Sequence, residues 1–538
     1  QVNEKEFEER IKKIGEYVFT ADNFIKLVLI YLRLESGIPV ILMGETGCGK
    51  TSLIDTLATL KGVVIKRLNV YAGITDNEIV SFMKKNDLLE DKNDAVIGED
   101  DEDFKGKDDK HSSSTQLSRS VTLKRSEIIE EIDEAHEKKN ENQNEEINEG
   151  AKEKIYVFFD EMNTSDALGL FKEMYCNHTC QGHSIKKEVV FIGAANPYRK
   201  DTQEHEQSAF IKKESKPTRY VYTVNPFPHS LLYYVFNFGS LDDKDEEKYI
   251  SKLLIKPIKN NLSKENENLF DEIHEIATNA LTKAQSLIKH SSDKSAVSLR
   301  EIRKAIIIYE FYVKEFRKKI ELYKEQEENK KNEKKKIEEE EDNKTFEIEE
   351  FIDERYSILN EKGIHKNAIN IAVYICYYIR ITSEELQKTF QKEMYIIFGE
   401  TEFLNIPNKV QLELANNIEI EEGIVLNDTL KLNLFIVFTS IMTRIALFMV
   451  GKPGSSKTLS FTYIRNSMKG KNSKSKFWKR LPTLYVNNYQ GSLSSTSEGI
   501  LKVFEQAEKH LIDQKNDGEN LKNKHIEGEI ISLVFIDE

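Results

Sequence analysis

Cysteine is scarce. Four thiols in 538 residues cannot build a disulfide scaffold, and Cys48 falls inside a glycine-rich loop, so a reducing compartment is the simpler expectation. Metal frameworks are equally thin. Cys176-Asn-His-Thr-Cys180-Gln-Gly-His183 offers ligand types, but no second pair stands at finger-like spacing, and an amphipathic helix accounts for its beginning. There is no signal-peptide pattern. The longest apolar stretch, Leu432–Val450, follows Lys431, is interrupted by Arg444 and runs directly into a glycine loop, which reads as a buried helix and strand instead of a membrane span. An excess of basic charge is also missing. The formal charge is −14, and 21 acidic against 9 basic side chains between Asp87 and Gly150 supply 12 of those negative charges, leaving the rest nearly balanced. This argues against a general nucleic-acid-binding surface. Neither end reads as natural: Gln1 is not methionine, and Phe535-Ile-Asp-Glu538 stops within a motif, so a piece of a longer polypeptide is expected.

What is present is organised around Gly44-Glu-Thr-Gly-Cys-Gly-Lys-Thr51, between the apolar run Ile38–Met43 and a helical stretch from Ser52 to Leu60. This is the phosphate-loop pattern. Glycines let backbone N–H groups close around phosphate oxygens, Lys50 adds a point charge, and Thr51 supplies a hydroxyl to Mg²⁺. With 538 residues available, two to four domains are expected.

The alternation that follows predicts a parallel sheet. A strand at Gly62–Asn69 leads to a helix ending near Met83, and Ile155-Tyr-Val-Phe-Phe159 is a buried strand capped by Asp160-Glu161. Downstream of a phosphate loop this pair reads as Walker B, with Asp160 in the metal shell and Glu161 polarising the attacking water. A helix at Ala167–Tyr175 precedes the strand Glu188–Ala195, whose tip carries Asn196-Pro197; Asn196 reads as sensor 1 of AAA+ ATPases, although Asn-Pro also forms plain turns. Arg219–Val224 reads as a fifth strand, and Leu231–Phe316 as a helical lid in which Ser298 caps a helix and Arg300 points to the phosphates as sensor 2, with Arg303 as its competitor. Two segments lack core-forming residues: Asp87–Gly150, expected to be disordered apart from a short helix at Ser126–His136, and the lysine-glutamate tract Lys318–Glu341, expected to be an exposed helix or linker.

Then the opening pattern recurs. A helix at Leu434–Thr443 and a strand at Ile445–Val450 deliver Gly451-Lys-Pro-Gly-Ser-Ser-Lys-Thr458, at one constant offset from the first loop. Gly451, Pro453, Gly454, Ser455, Ser456, Lys457 and Thr458 form the second candidate loop, with Ser456 where glycine is expected. Thr483–Val486 reads as a strand and Ser497–His510 as a helix, before a second Walker B strand, Ile531–Ile536, with Asp537 for metal and Glu538 for water.

Paired modules of this kind look like tandem AAA+ domains, a plan shared by dyneins and midasins. The wording is closer to one family. The first loop, Phe158–Ser165, Ala194–Arg199, Asn225–Pro228, Phe238–Leu241 and above all Gly451–Lys457 resemble the mysterin family of giant AAA+ RING-type ubiquitin ligases, at its third and fourth AAA modules. The resemblance implies ATP and Mg²⁺ as cofactors and a second loop in which serine at 456 is usual. It further implies a cytoplasmic protein associated with lipid droplets. Ubiquitin, a ubiquitin-conjugating enzyme and zinc would engage regions outside residues 1–538, and the neighbouring AAA+ modules would belong to the same polypeptide. The charged insertions depart from the family pattern.

The expected fold is therefore α/β: tandem AAA+ P-loop NTPase modules with an α-helical lid. The expected division is a first large subdomain at 1–230, with the acidic insertion at 87–150. A lid and linker follow at 231–420, with the charged tract at 318–341, and the second module starts at 421–538. The expected function is an ATP-hydrolysing core of a giant ligase in which Gly44, Glu45, Thr46, Gly47, Cys48, Gly49, Lys50 and Thr51 hold nucleotide. A mechanical remodeller without ligase activity and a nucleotide-locked scaffold are the alternatives.

Overall fold

The computed structural model describes residues 4–14, 17–90, 154–198, 222–239, 242–291, 296–337, 360–399, 402–421, 423–492, 494–520 and 530–537. The chain divides into two units, 1–45 with 49–240 and 46–48 with 241–538.

The first unit is a parallel sheet flanked by helices. In chain order it contains α1 (Glu4–Ile14), α2 (Ala21–Glu35), β1 (Val40–Gly44), α3 (Lys50–Lys61), β2 (Lys66–Asn69), α4 (Asp76–Lys85), β3 (Ile155–Asp160), α5 (Leu168–Asn177), a two-residue hairpin of β4 (Thr179–Cys180) and β5 (His183–Ser184), β6 (Val189–Ala195) and β7 (Val235–Gly239). The main sheet runs β2-β3-β6-β1-β7, with every pair parallel. Continuous apolar runs occupy the middle. All seven residues of β6 are buried, as are Tyr156–Phe159 of β3, as expected for strands covered by helices on both faces. Phe159 meets Phe171 of α5 edge-on at 5.0 Å and stacks on Phe191 of β6 at 5.7 Å, tying helix layer to sheet. Helix starts are chemically marked: Thr20 caps α2, and Thr75 forms a capping box with Glu78 on α4.

Three expectations change here. The described part of the expected fifth strand Arg219–Val224, Tyr222–Val224, is in no strand, and the strand beside β1 is β7, which follows a short 3₁₀ turn at His229–Tyr234. The sheet unit therefore extends through Gly239, and the helical region begins with Asp243 instead of Leu231. Order also continues past Asp87. Leu88 is fully buried, Leu89 bridges Ile185, and Glu90 N–H donates to the Ser184 carbonyl, because this tail finds partners beside the β4–β5 hairpin. The expected helix at Ser126–His136 lies outside the described residues.

Among the described residues the second unit begins with the helices α6 (Asp243–Asn261), α7 (Phe270–Ser291), α8 (Leu299–Ile337), α9 (Glu361–Cys376), α10 (Glu384–Phe398) and α11 (Glu402–Asn416). Helix α8 carries the first part of the lysine-glutamate tract, and Lys319 pairs with Glu413 at 2.7 Å. Its N-terminal half packs on α9, where His365, fully buried, accepts or donates a hydrogen bond with Tyr309 Oη at 2.5 Å. Burial, with Arg317 adding to it, pulls the His365 imidazole down to about 4 against the opposing pull of Glu361.

The repeat follows with α12 (Asp428–Thr443), α13 (Lys457–Ser467), α14 (Lys476–Lys479), β8 (Thr483–Gln490), α15 (Ser497–Asn520) and β9 (Ile530–Asp537), the last pairing in parallel with β8 over eight positions. The expected strand Ile445–Val450 is in no strand among the described residues; Phe448 is 91% and Val450 98% exposed. The first unit differs. There the corresponding strand, β1, is flanked by β6 and β7, both of which follow the Asp160 strand in chain order.

Candidate nucleotide site

Strand β1 ends at Gly44, and α3 starts six residues later at Lys50. Between them Gly47 and Gly49 have φ of 71° and 97°, values that glycine adopts without strain. A Cβ at Gly49 would touch nothing within 4 Å, so the backbone dihedral and not crowding calls for glycine. Gly49 is also the N-cap of α3 and offers no side-chain cap, and no acidic residue stands in the first turn. The opening N–H groups of the helix are thus left for an anion.

Parallel pairing brings the polar ends of three strands together. The Met43–Ala195 register sets Gly44 beside Asn196, and β3 ends next to them at Asp160. Lys50, buried, donates through Nζ to the carbonyls of Gly44 at 2.5 Å and Glu45 at 3.0 Å and to Asn196 Oδ1 at 3.3 Å. Thr51 Oγ1 donates to Asp160 Oδ2 at 3.1 Å. Lys50, Thr51, Asp160 and Asn196 therefore form one constellation, although 146 positions separate the first from the last. A hydroxyl and a carboxylate oxygen at this separation are hard donors of the kind Mg²⁺ takes alongside phosphate and water, so the residues fit that ion. Among the described residues no group of three or more His, Cys, Asp and Glu side chains is placed to hold a metal ion.

Glu161 occupies the next position with φ 56° and ψ 35°, left-handed for a non-glycine residue, and its N–H donates to Asp160 Oδ1 at 3.1 Å. The turn is held from below by Asn163, which the sequence reading passed over. Its Nδ2 donates to the Asn196 carbonyl at 2.8 Å while its Oδ1 accepts from the Asn196 N–H at 3.2 Å. The Asn163 carbonyl accepts from Asn225 N–H at 2.7 Å. Tyr222 is a second omission: its hydroxyl donates to Glu45 Oε2 at 2.6 Å. Asn163 was visible only as a member of the Phe158–Ser165 stretch, where Met162-Asn163-Thr164 also suits a plain turn.

Arg300 lies in the first turn of α8 and is exposed; Ser298 Oγ accepts from its N–H at 3.2 Å, and Glu301 accepts from Ser298 N–H at 2.8 Å, so the expected cap is present. Arg303 is exposed one turn on.

At the second loop Lys457 Nζ donates to the carbonyls of Gly451 at 2.5 Å and Lys452 at 3.3 Å, as Lys50 does to its own loop. Thr458 and Asp537 are not joined by a hydrogen bond among the described residues. Phe461 of α13 stacks on Phe535 of β9 at 4.0 Å, which places helix and Asp537 strand side by side. Glu538 lies outside the described residues.

Residues 17–104 and 423–538 each match a family described as the RNF213 AAA domain. The chain carries a pair of mysterin-type (RNF213) AAA+ modules. The two matches begin 406 positions apart, against the 407 between Gly44 and Gly451, so the mysterin-type modules follow the internal repeat. E3 ubiquitin-protein ligase rnf213-beta of Danio rerio is 26% identical over 552 residues, and E3 ubiquitin-protein ligase RNF213 of Homo sapiens and of Mus musculus are each 25% identical, over 559 and 556. Each alignment covers 97% of this chain, which spans about 9% of the length of those relatives. No helix among the described residues is long and apolar enough to cross a membrane.

Proposed function

We propose that residues 1–538 are an ATP-binding and ATP-hydrolysing part of a giant ubiquitin ligase of the mysterin type, with chemistry at the first loop. The observation that carries this reading is the meeting of Lys50 with Asn196 and of Thr51 with Asp160 at adjacent strand ends. In this reading Gly44 to Gly49 line the phosphates, and Lys50 leaves the loop carbonyls to contact them. Thr51 and Asp160 hold Mg²⁺, which when bound neutralises phosphate charge. Asn196 is set by its backbone to reach the γ-phosphate or the water. Glu161 orients that water and takes its proton as the water oxygen bonds to the γ-phosphorus and the bond to the bridging oxygen breaks, releasing ADP and inorganic phosphate. The strained backbone of Glu161 accords with a residue placed for chemistry and not for packing. Arg300 is assigned the sensor 2 role from its motif alone. The second loop is proposed to bind ATP through Gly451 to Thr458, with Asp537 toward the metal and Glu538 toward water.

Ubiquitin, a ubiquitin-conjugating enzyme and zinc are assigned to other regions of the polypeptide, and a cytoplasmic location with lipid-droplet association is carried over from the family resemblance. Glu161→Gln tests the mechanism: ATP stays bound and turnover disappears in the full-length polypeptide. Undiminished hydrolysis removes Glu161 from the reaction.

A further inference from the structure

The second loop solves a backbone problem differently from the first. Ser456 has φ 59° and ψ 25° at the position where the first loop has Gly49, so an L side chain is held in the left-handed region. The peptide just before it is anchored from outside the loop: Asn433 Nδ2 donates to the Ser455 carbonyl at 3.0 Å. Rotation of that peptide would change the φ of Ser456, so the bond acts directly on the strained residue. Asn433 stands on α12, which is itself well fixed. Asn427 caps it, accepting from Leu430 N–H at 2.8 Å, and the buried hydroxyls of Tyr312 on α8 and Thr439 on α12 share a hydrogen bond of 2.7 Å. Phe435 and Phe438 add ring contacts to Tyr312 and Phe311. In the first repeat the corresponding position is Lys26, which pairs with Asp22 and lies over the Phe238 ring. No such anchor is needed there, because glycine adopts the conformation freely.

We propose that Asn433 is a positioning residue of the second nucleotide site: it pins the Ser455–Ser456 peptide so that serine holds the left-handed turn that opens the start of α13 to the phosphates of a nucleoside triphosphate. The proposal rests on reading the second loop as a nucleotide site.

The test uses the full-length polypeptide carrying Lys50→Ala, titrated with a fluorescent ATP analogue, with the signal of the Lys50→Ala/Lys457→Ala variant subtracted. Asn433→Ala weakens the remaining affinity about fivefold, the size expected for one lost hydrogen bond. Asn433→Asp, which keeps the shape but not the donor, does the same. Adding Ser456→Gly to Asn433→Ala restores most of the affinity, a rescue that general damage to α12 would not allow. Unchanged affinity in Asn433→Ala, or a loss that Ser456→Gly fails to relieve, overturns the proposal. Identical titrations of Lys50→Ala and Lys50→Ala/Lys457→Ala show instead that the second loop binds no nucleotide, which removes both the underlying reading and the proposal.

Discussion

Replacing Asn163 by alanine separates the support of the first site from its chemistry. The side chain is 1% exposed and makes two bonds to the backbone of Asn196, itself 6% exposed. Its removal leaves a buried N–H and a buried carbonyl without these partners. With one to three kcal/mol for each stranded group, partly offset by local relaxation, a loss of roughly 2–4 kcal/mol is expected. For a unit of this size that corresponds to a fall of about 5–15 °C in the midpoint of its thermal transition. Asn196 Oδ1 also loses its fixed place 3.3 Å from Lys50 Nζ, so turnover should fall at saturating ATP more than nucleotide affinity does. Asn163→Asp sharpens the test. It keeps the acceptor for the Asn196 N–H but opposes the Asn196 carbonyl with a carboxylate, so its deficit should shrink as pH is lowered and the acid protonates. Differential scanning calorimetry with steady-state ATP hydrolysis checks both effects. A midpoint within 1 °C of the parent, with unchanged turnover, would refute the idea that this amide pair holds the site.

Other perturbations follow the same physics. His365 is depressed to about 4, so the folded state favours its neutral form; this contribution is complete above the ordinary imidazole value of about 6.5 and is lost as pH falls from there toward 4. Urea unfolding across that window should show a slope that His365→Gln flattens. Tyr312→Phe strands the Thr439 hydroxyl and should destabilise the second unit by about 1–2 kcal/mol, whereas Tyr312→Phe/Thr439→Val recovers much of the loss in a double-mutant cycle. A methyl at Gly193 would run into Met162 Sδ and stand 3.0 Å from the Tyr175 hydroxyl, so Gly193→Ala should cost about 1–3 kcal/mol in denaturant titrations.

The parts most legible in the sequence were those where one residue type has one physical use. Val40–Met43, Tyr156–Phe159 and Val189–Ala195 are apolar without alternation, as buried parallel strands are, and each ends in glycine, acid or amide. Strand β7 was hidden because Val-Phe-Asn-Phe-Gly239 is short, lies on the sheet edge and has only one fully buried residue, and because the 3₁₀ turn before it begins with residues that suit a helix. Tyr222–Val224 misled for the opposite reason: aromatic and β-branched residues suit a strand, but propensity alone does not place these described residues in one. Ile445–Val450 makes the same point, since a strand exists only where its hydrogen bonds have partners. The Asn163–Asn196 pair joins residues whose sequence neighbourhoods reveal nothing of each other, and pairing across the sheet is what brings them into register.

The position of β1 has a consequence for how the protein comes into being. Its residues are among the first of the sheet to leave a ribosome, yet Val40 pairs with Ile192 and Ile41 with Val235. Until those later stretches are synthesised, the apolar strand and the glycine loop behind it have nothing to close upon. Lengthening the path between Glu90 and Lys154 adds little to the equilibrium penalty, which grows by about 0.6 kcal/mol for each doubling of a loop, but it delays the meeting of distant partners. The segment proposed to grip phosphate is thus made early and set late, and during that interval nascent chains are exposed to mispairing and to chaperones.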